Sequence, residues 1–210
     1  MGRQIAHNAG MHERTIAAAV AFKGIGLHTG EPAAMRILPA PRGKGIIFRR
    51  VDLDNFEIRA DVASVARVAY ATTLMKKGVW ISTVEHVLSA LYGMGVDNAY
   101  VELNNFEVPI LDGSALPFTE AIERVGLIIQ NRRRRYLRIT RPFMLEEQDK
   151  TIGIFPADRF SIRYEIDFAH PVIGEQKLEV QLDENNFAKL IAPAGPSVSI
   201  MKWKSFRPAG

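Results

Sequence analysis

The chain has 210 residues, a formal net charge of +4 and a pI near 9.4, with 47% hydrophobic and 24% charged residues, the balance of a globular protein with a real core. It has no cysteine, which excludes disulfides and thiolate metal sites and leaves any metal to His, Asp or Glu. No apolar run reaches the roughly 18 residues needed to span a membrane, a cytoplasmic setting fits, and the basic excess favours anionic partners.

In chain order, residues 1–13 are polar and mixed and are expected to form a loose tail. Strands are expected over residues 15–22, 34–38 and 45–50, separated by Pro39, Pro41 and Gly43. The apolar stretch 16–22 is too short for a signal peptide and reads as strand. Gly24, Gly26 and Gly30 surround His28 in a loop expected to need unusual backbone angles. A helix is expected from Ser82 or Thr83, where Val84, Val87, Leu88 and Leu91 recur at helical spacing, with Gly93 and Gly95 ending it. Residues 98–103 alternate as a strand does, and residues 117–127 read as a second helix with Pro117 near its start and Gly126 near its end. The arginine run 132–135 marks a boundary. Beyond it, strands are expected over 136–139, 151–155, 161–167 and 177–182, then a short helix over 184–191. The pattern is α+β: one unit over residues 14–130, and a second, similar unit beginning at 131 and unfinished at 194.

Ser82-Thr83-Val84-Glu85-His86 carries the most chemical information. A neighbouring Glu and His can serve one zinc ion, the His as ligand and the Glu as base. The same letters spell a capping box, in which Glu85 does no more than satisfy a backbone N–H at the helix start. No second His stands four residues on, so the helical His-Glu-x-x-His arrangement is absent. Asp112-Gly113-Ser114-Ala115 reads as a turn and cap. Phe168 could stack on a base and Lys150 could hold a phosphate, although such residues are commonly core or surface. The arginine run could bind nucleic acid or anionic lipid, but it lacks interleaved aromatics beyond Tyr136 and reads better as a solvated linker.

Several segments in order resemble one family. They are Gly24-Ile-Gly-Leu-His28-Thr-Gly30, Leu38-Pro-Ala-Pro41, Phe48-Arg-Arg-Val-Asp52-Leu and Ile81-Ser-Thr-Val-Glu85-His86-Val-Leu-Ser-Ala-Leu91, followed by Pro109-Ile-Leu-Asp-Gly-Ser-Ala115, Pro117-Phe118 and Ile166-Asp-Phe-Ala-His-Pro171. From about Arg14 to Ala194 the chain resembles the UDP-3-O-acyl-N-acetylglucosamine deacetylases, zinc enzymes of lipid A synthesis. The resemblance implies two similar sheet-plus-helix domains whose helical layers face each other, with the active site between them. It implies hydrolysis of the N-acetyl group of UDP-3-O-(3-hydroxyacyl)-N-acetylglucosamine by a full-length monomer. On the motif match, His86 is a Zn²⁺ ligand and Glu85 the general base. Lys150 and Phe168 match positions contacting the diphosphate and uridine, and Thr72 and His28 match positions near the cleft.

Two further ligands of that family, a His-x-x-x-Asp, have no counterpart here: His7, His12, His28 and His170 have no Asp four residues on. After Ile191-Ala-Pro-Ala194, regrouping the codons of Ile200 to Ser205 one base earlier forces two glutamates, and the same regrouping of Ala194 to Val198 permits the family's Arg-Thr-Phe-Gly-Phe. Residues 195–210 are therefore expected to be an off-frame tail, and this chain is expected to be inactive. Two other classes of function stay open at this point: a non-catalytic binder of the UDP-sugar lipid, and a basic nucleic-acid-binding protein.

Overall fold

The computed structural model describes residues 11–195, which form two compact units: residues 11–134 with 184–195, and residues 135–183. Residues 1–10, most of the expected tail, and 196–210, nearly all of the expected off-frame segment, lie outside the described residues.

The first unit is built on a five-stranded sheet. Its strands are β2 (Val20–Ile25), β3 (Pro32–Pro39), β4 (Ile46–Arg50), β5 (Phe56–Arg59) and β9 (Ala99–Leu103), in the order β2-β3-β9-β4-β5. Only the β4–β9 pair is parallel. Side chains alternate between faces, as the two-residue period of a strand dictates. Met35 and Ile37 of β3, Phe48 of β4 and Val101 and Leu103 of β9 are buried. Arg36, Arg49, Tyr100 and Glu102 occupy the other face. There Arg36 bonds Glu102 at 3.1 Å, and the Arg49 guanidinium lies 3.5 Å from the Tyr100 ring centre. The apolar face is covered by helices α1 (Glu85–Gly93) and α2 (Leu116–Val125), with the Phe22 and Phe118 rings meeting edge to face at 5.0 Å. A third helix, α3 (Glu184–Leu190), packs on both and inserts Phe187, which is 4% exposed.

Two smaller sheets complete this unit: β1 (His12–Ile16) with β10 (Leu127–Arg133), and β6 (Val65–Arg67), β7 (Thr73–Lys76) and β8 (Val79–Ile81). They revise several expectations. His12 and Glu13 are strand and not tail. The buried Glu13 carboxylate accepts from Gly43 N at 2.6 Å and Asn98 Nδ2 at 3.0 Å, and pairs with Arg132 at 3.2 Å. The expected strand 15–22 is broken at residues 17–19, where the chain passes from β1 to β2. The second helix stops at Val125, because Gly126 takes a φ of +76°, and Leu127 opens β10. The arginine run thus begins inside a strand.

The second unit holds two antiparallel hairpins. One joins β11 (Phe143–Glu147) to β12 (Lys150–Ile154), the other β13 (Ser161–Phe168) to β14 (Gly174–Gln181). β11 was not anticipated, and residues 136–139, expected as strand, pair with no strand among the described residues. Large apolar side chains on these hairpins, including Phe143, Ile152, Tyr164 and Leu178, are exposed.

Candidate active site

The approach to α1 departs from the capping-box reading. The backbone of Ser82 is stitched to a neighbouring segment: its N–H donates to Phe106 O at 2.7 Å, and its C=O accepts from Val108 N at 3.1 Å. The Ser82 hydroxyl pairs with Thr73 Oγ1 at 3.1 Å and does not cap the helix. The capping position belongs to Val84, without a side-chain cap. Between them Thr83 takes a φ of +60°, a left-handed conformation costly for a β-branched residue. Such strain costs about 1–3 kcal/mol and persists only where the surroundings enforce it.

Glu85 and His86 form the first turn of α1, where the helix dipole favours negative charge. Both are half-buried. The Glu85 carboxylate accepts from Thr72 N at 3.0 Å, while Thr72 O accepts from Val84 N at 3.4 Å. Thr72 is thus clamped to the helix start by its main chain. The fold thus brings Thr72 to Glu85, and His86 follows Glu85 in the same helical turn.

His28 is exposed in the β2–β3 loop, and its backbone is fixed by a residue not singled out from the sequence. Glu107, 1% exposed, accepts from His28 N at 2.9 Å, Thr29 N at 3.0 Å, Thr29 Oγ1 at 2.7 Å and Thr83 Oγ1 at 3.0 Å. Burial alone would raise the pKa of this carboxyl. The donors from His28, Thr29 and Thr83 outweigh burial and hold it below the ordinary carboxylate value. Gly26 makes room for it: a methyl there would overlap Glu107 Oε2 and Thr29 Oγ1. Of the three loop glycines, only Gly30 has a positive φ (+69°), so Gly26 serves close approach and not an unusual backbone angle. A cavity of about 270 Å³ opens beside this cluster, lined by His28, Thr29, Arg67, Tyr70, Thr73 and Ser82 among others.

Lys150 and Phe168 lie in the second unit on separate hairpins. Lys150 opens β12 opposite Glu147 and is exposed; Phe168 closes β13 opposite Gly174 and is 52% exposed. The Asp112–Ala115 segment is a turn and cap: Asp112 Oδ1 accepts from Ser114 N at 2.9 Å, and Ser114 Oγ accepts from Leu116 N at 3.1 Å. Within the arginine run, Arg132 is paired with Glu13, and Arg134 bonds Asp97 and Gly95 O, each at 2.7 Å.

Among the described residues no three His, Asp or Glu side chains gather as a metal site. His86 offers one imidazole, and the Glu85 carboxylate beside it is engaged by Thr72. A catalytic zinc centre uses three protein ligands, so these donors do not by themselves fit one.

The family model described as UDP-3-O-acyl N-acetylglycosamine deacetylase matches residues 13–201. Proteins called UDP-3-O-acyl-N-acetylglucosamine deacetylase are similar along most of the chain. That of Solibacter usitatus is 48% identical over 180 residues, covering 86% of this chain and 61% of the relative. That of Saccharophagus degradans is 42% identical over 185 residues, covering 87% and 61%. That of Anaeromyxobacter dehalogenans is 41% identical over 186 residues, covering 89% and 60%. The chain spans about three-fifths of the length of these relatives. With the match running through β1, the Glu107 cluster, α1 and both hairpins, the chain belongs to the UDP-3-O-acyl N-acetylglycosamine deacetylase family.

Proposed function

We propose that the whole protein hydrolyses the N-acetyl group of UDP-3-O-(3-hydroxyacyl)-N-acetylglucosamine, releasing acetate in the committed deacetylation of lipid A biosynthesis. In this reading Glu85 is the general base and His86 one ligand of a Zn²⁺ cofactor. Thr72 and His28 line the approach of substrate, Lys150 contacts its diphosphate and Phe168 its uridine. The protein is read as cytoplasmic and, at full length, monomeric. No helix among the described residues is long and apolar enough to cross a membrane.

The observation supporting this reading is the clamp at the head of α1. A general base must be held within hydrogen-bond reach of the proton it removes. The Thr72 N–H holds the Glu85 carboxylate beside the only histidine of that helix. With one imidazole there and no further ligand cluster among the described residues, we read the 210-residue chain alone as non-catalytic, retaining at most UDP-sugar binding.

The test is a chimera in which residues 13–194 of this chain replace their counterpart in the Solibacter usitatus relative. It should release acetate in the presence of zinc, and Glu85→Gln should lower kcat about a hundredfold or more. A folded, zinc-loaded chimera that releases no acetate, or one indifferent to Glu85→Gln, would refute the reading.

A further inference from the structure

Burying a carboxylate is unfavourable unless its lone pairs are met by donors, so a fully buried, fully satisfied one reports on what its donors hold together. At Glu107 the donors come from two separate places. Three belong to residues 28–29, in the loop after β2. The fourth is the hydroxyl of Thr83, two residues before Glu85. Thr83 sits in a conformation it would not choose, and the bond to Glu107 is its side chain's described anchor there. Ser82 and Val108 are joined through the backbone on the same stretch, so Glu107 rides on a rigid segment. Gly26 leaves space for the carboxylate where any side chain would displace it.

We propose that Glu107 is a positioning residue, whose carboxylate holds the left-handed turn at Thr83, and with it the Thr72–Glu85 clamp, in fixed relation to the His28 loop. The consequence for catalysis rests on the reading of Glu85 as general base. The geometry itself does not. Thr83 directs the chain from β8 into α1. Releasing its hydroxyl lets the turn relax toward an ordinary backbone conformation and carries Val84 and Glu85 away from Thr72. Releasing the loop donors frees His28 at the other side of the same group. One carboxylate thus sets both.

The test uses the full 210-residue chain and amide hydrogen exchange resolved by residue. Three amides report: Thr72, which donates to Glu85, and His28 and Thr29, which donate to Glu107. Gly126 and Met94, which close the ends of α2 and α1, are controls. Glu107→Gln keeps the shape but turns an NH₂ toward donors. It should speed exchange at Thr72, His28 and Thr29 by about tenfold or more, leaving the controls within about threefold. Thr83→Val should speed Thr72 alone, and Thr83→Ser, which keeps the hydroxyl, should restore the wild-type rate. Uniform acceleration, controls included, would show that Glu107 only stabilises the fold. Acceleration at residues 28 and 29 with Thr72 unchanged would show that it holds its own loop and nothing more. Either result overturns the proposal. Should Glu107→Gln not fold, the Thr83 pair decides: equal Thr72 rates in Thr83→Val and Thr83→Ser count against it. A chimera that releases no acetate would end the functional reading and leave this exchange pattern as it stands.

Discussion

Replacing Gly93 by alanine tests how the helix bearing Glu85 and His86 is buttressed at its far end. Gly93 is the last residue of α1, and its backbone is not left-handed, so alanine is compatible with its conformation. Helix propensity alone would favour the change by at most about 1 kcal/mol, the value for a helix interior. The new methyl, however, would overlap Cγ, Cδ1 and Cε1 of Phe187. These atoms include the root of the ring, so a small rotation cannot relieve the overlap. With Phe187 only 4% exposed, the ring has no adjacent space to enter. If it is expelled, the loss approaches that of Phe→Ala in a core, about 3–5 kcal/mol, leaving a net destabilisation of about 2–4 kcal/mol after the helix gain. Urea unfolding followed by far-UV circular dichroism measures it. The double variant Gly93→Ala/Phe187→Ala should be no less stable than Phe187→Ala alone, because the overlap is gone. A Gly93→Ala protein as stable as wild type would refute the packing of α3 on α1 described above.

Further expectations concern the Glu107 carboxylate and the Arg134–Asp97 pair. Because the folded Glu107 carboxyl is held below the ordinary value of 4.5, its contribution to stability is fully present above that value and is lost as pH falls through the lower folded value. Urea midpoints taken from about pH 6 to pH 3 should therefore fall less steeply in Glu107→Gln than in wild type, and parallel curves would show that Glu107 contributes nothing. Arg134→Ala, which strips bonds from Asp97 and Gly95 O, should cost about 1–3 kcal/mol, whereas Arg133→Ala at an exposed position should change stability by under about 0.5 kcal/mol in the same assay.

The elements legible in the sequence were those whose periodicity is set by one buried face. Residues 98–103 alternate because β9 buries Val101 and Leu103 on one face and turns Tyr100 and Glu102 to Arg49 and Arg36 on the other, and Val87 and Leu91 recur because α1 packs along one stripe. What misled was local chemistry overruled from a distance. Ser82 and Glu85 have the spacing of a capping box, but Ser82 is claimed by the 106–108 backbone and Glu85 by Thr72. Glu13 looks like tail because its partners are Gly43, Asn98 and Arg132. In β11, Met144 and Leu145 follow one another without alternation, so the strand shows only through its pairing with β12. Of the site, Glu85 and His86 were legible as a chemical pair, and Thr72 and His28 only through the family motifs. Glu107 was not legible at all. Its donors lie 78, 79 and 24 positions away, and an acidic residue two positions before a proline carries no signal of burial.

Zinc content offers the most direct test of the claim that His86 is one ligand of a metal site that the described residues do not complete. The purified 210-residue chain, equilibrated with zinc and then dialysed against zinc-free buffer, should retain well under about one zinc ion per chain, no more than His86→Ala treated in the same way. About one tightly held zinc per chain after dialysis would contradict it.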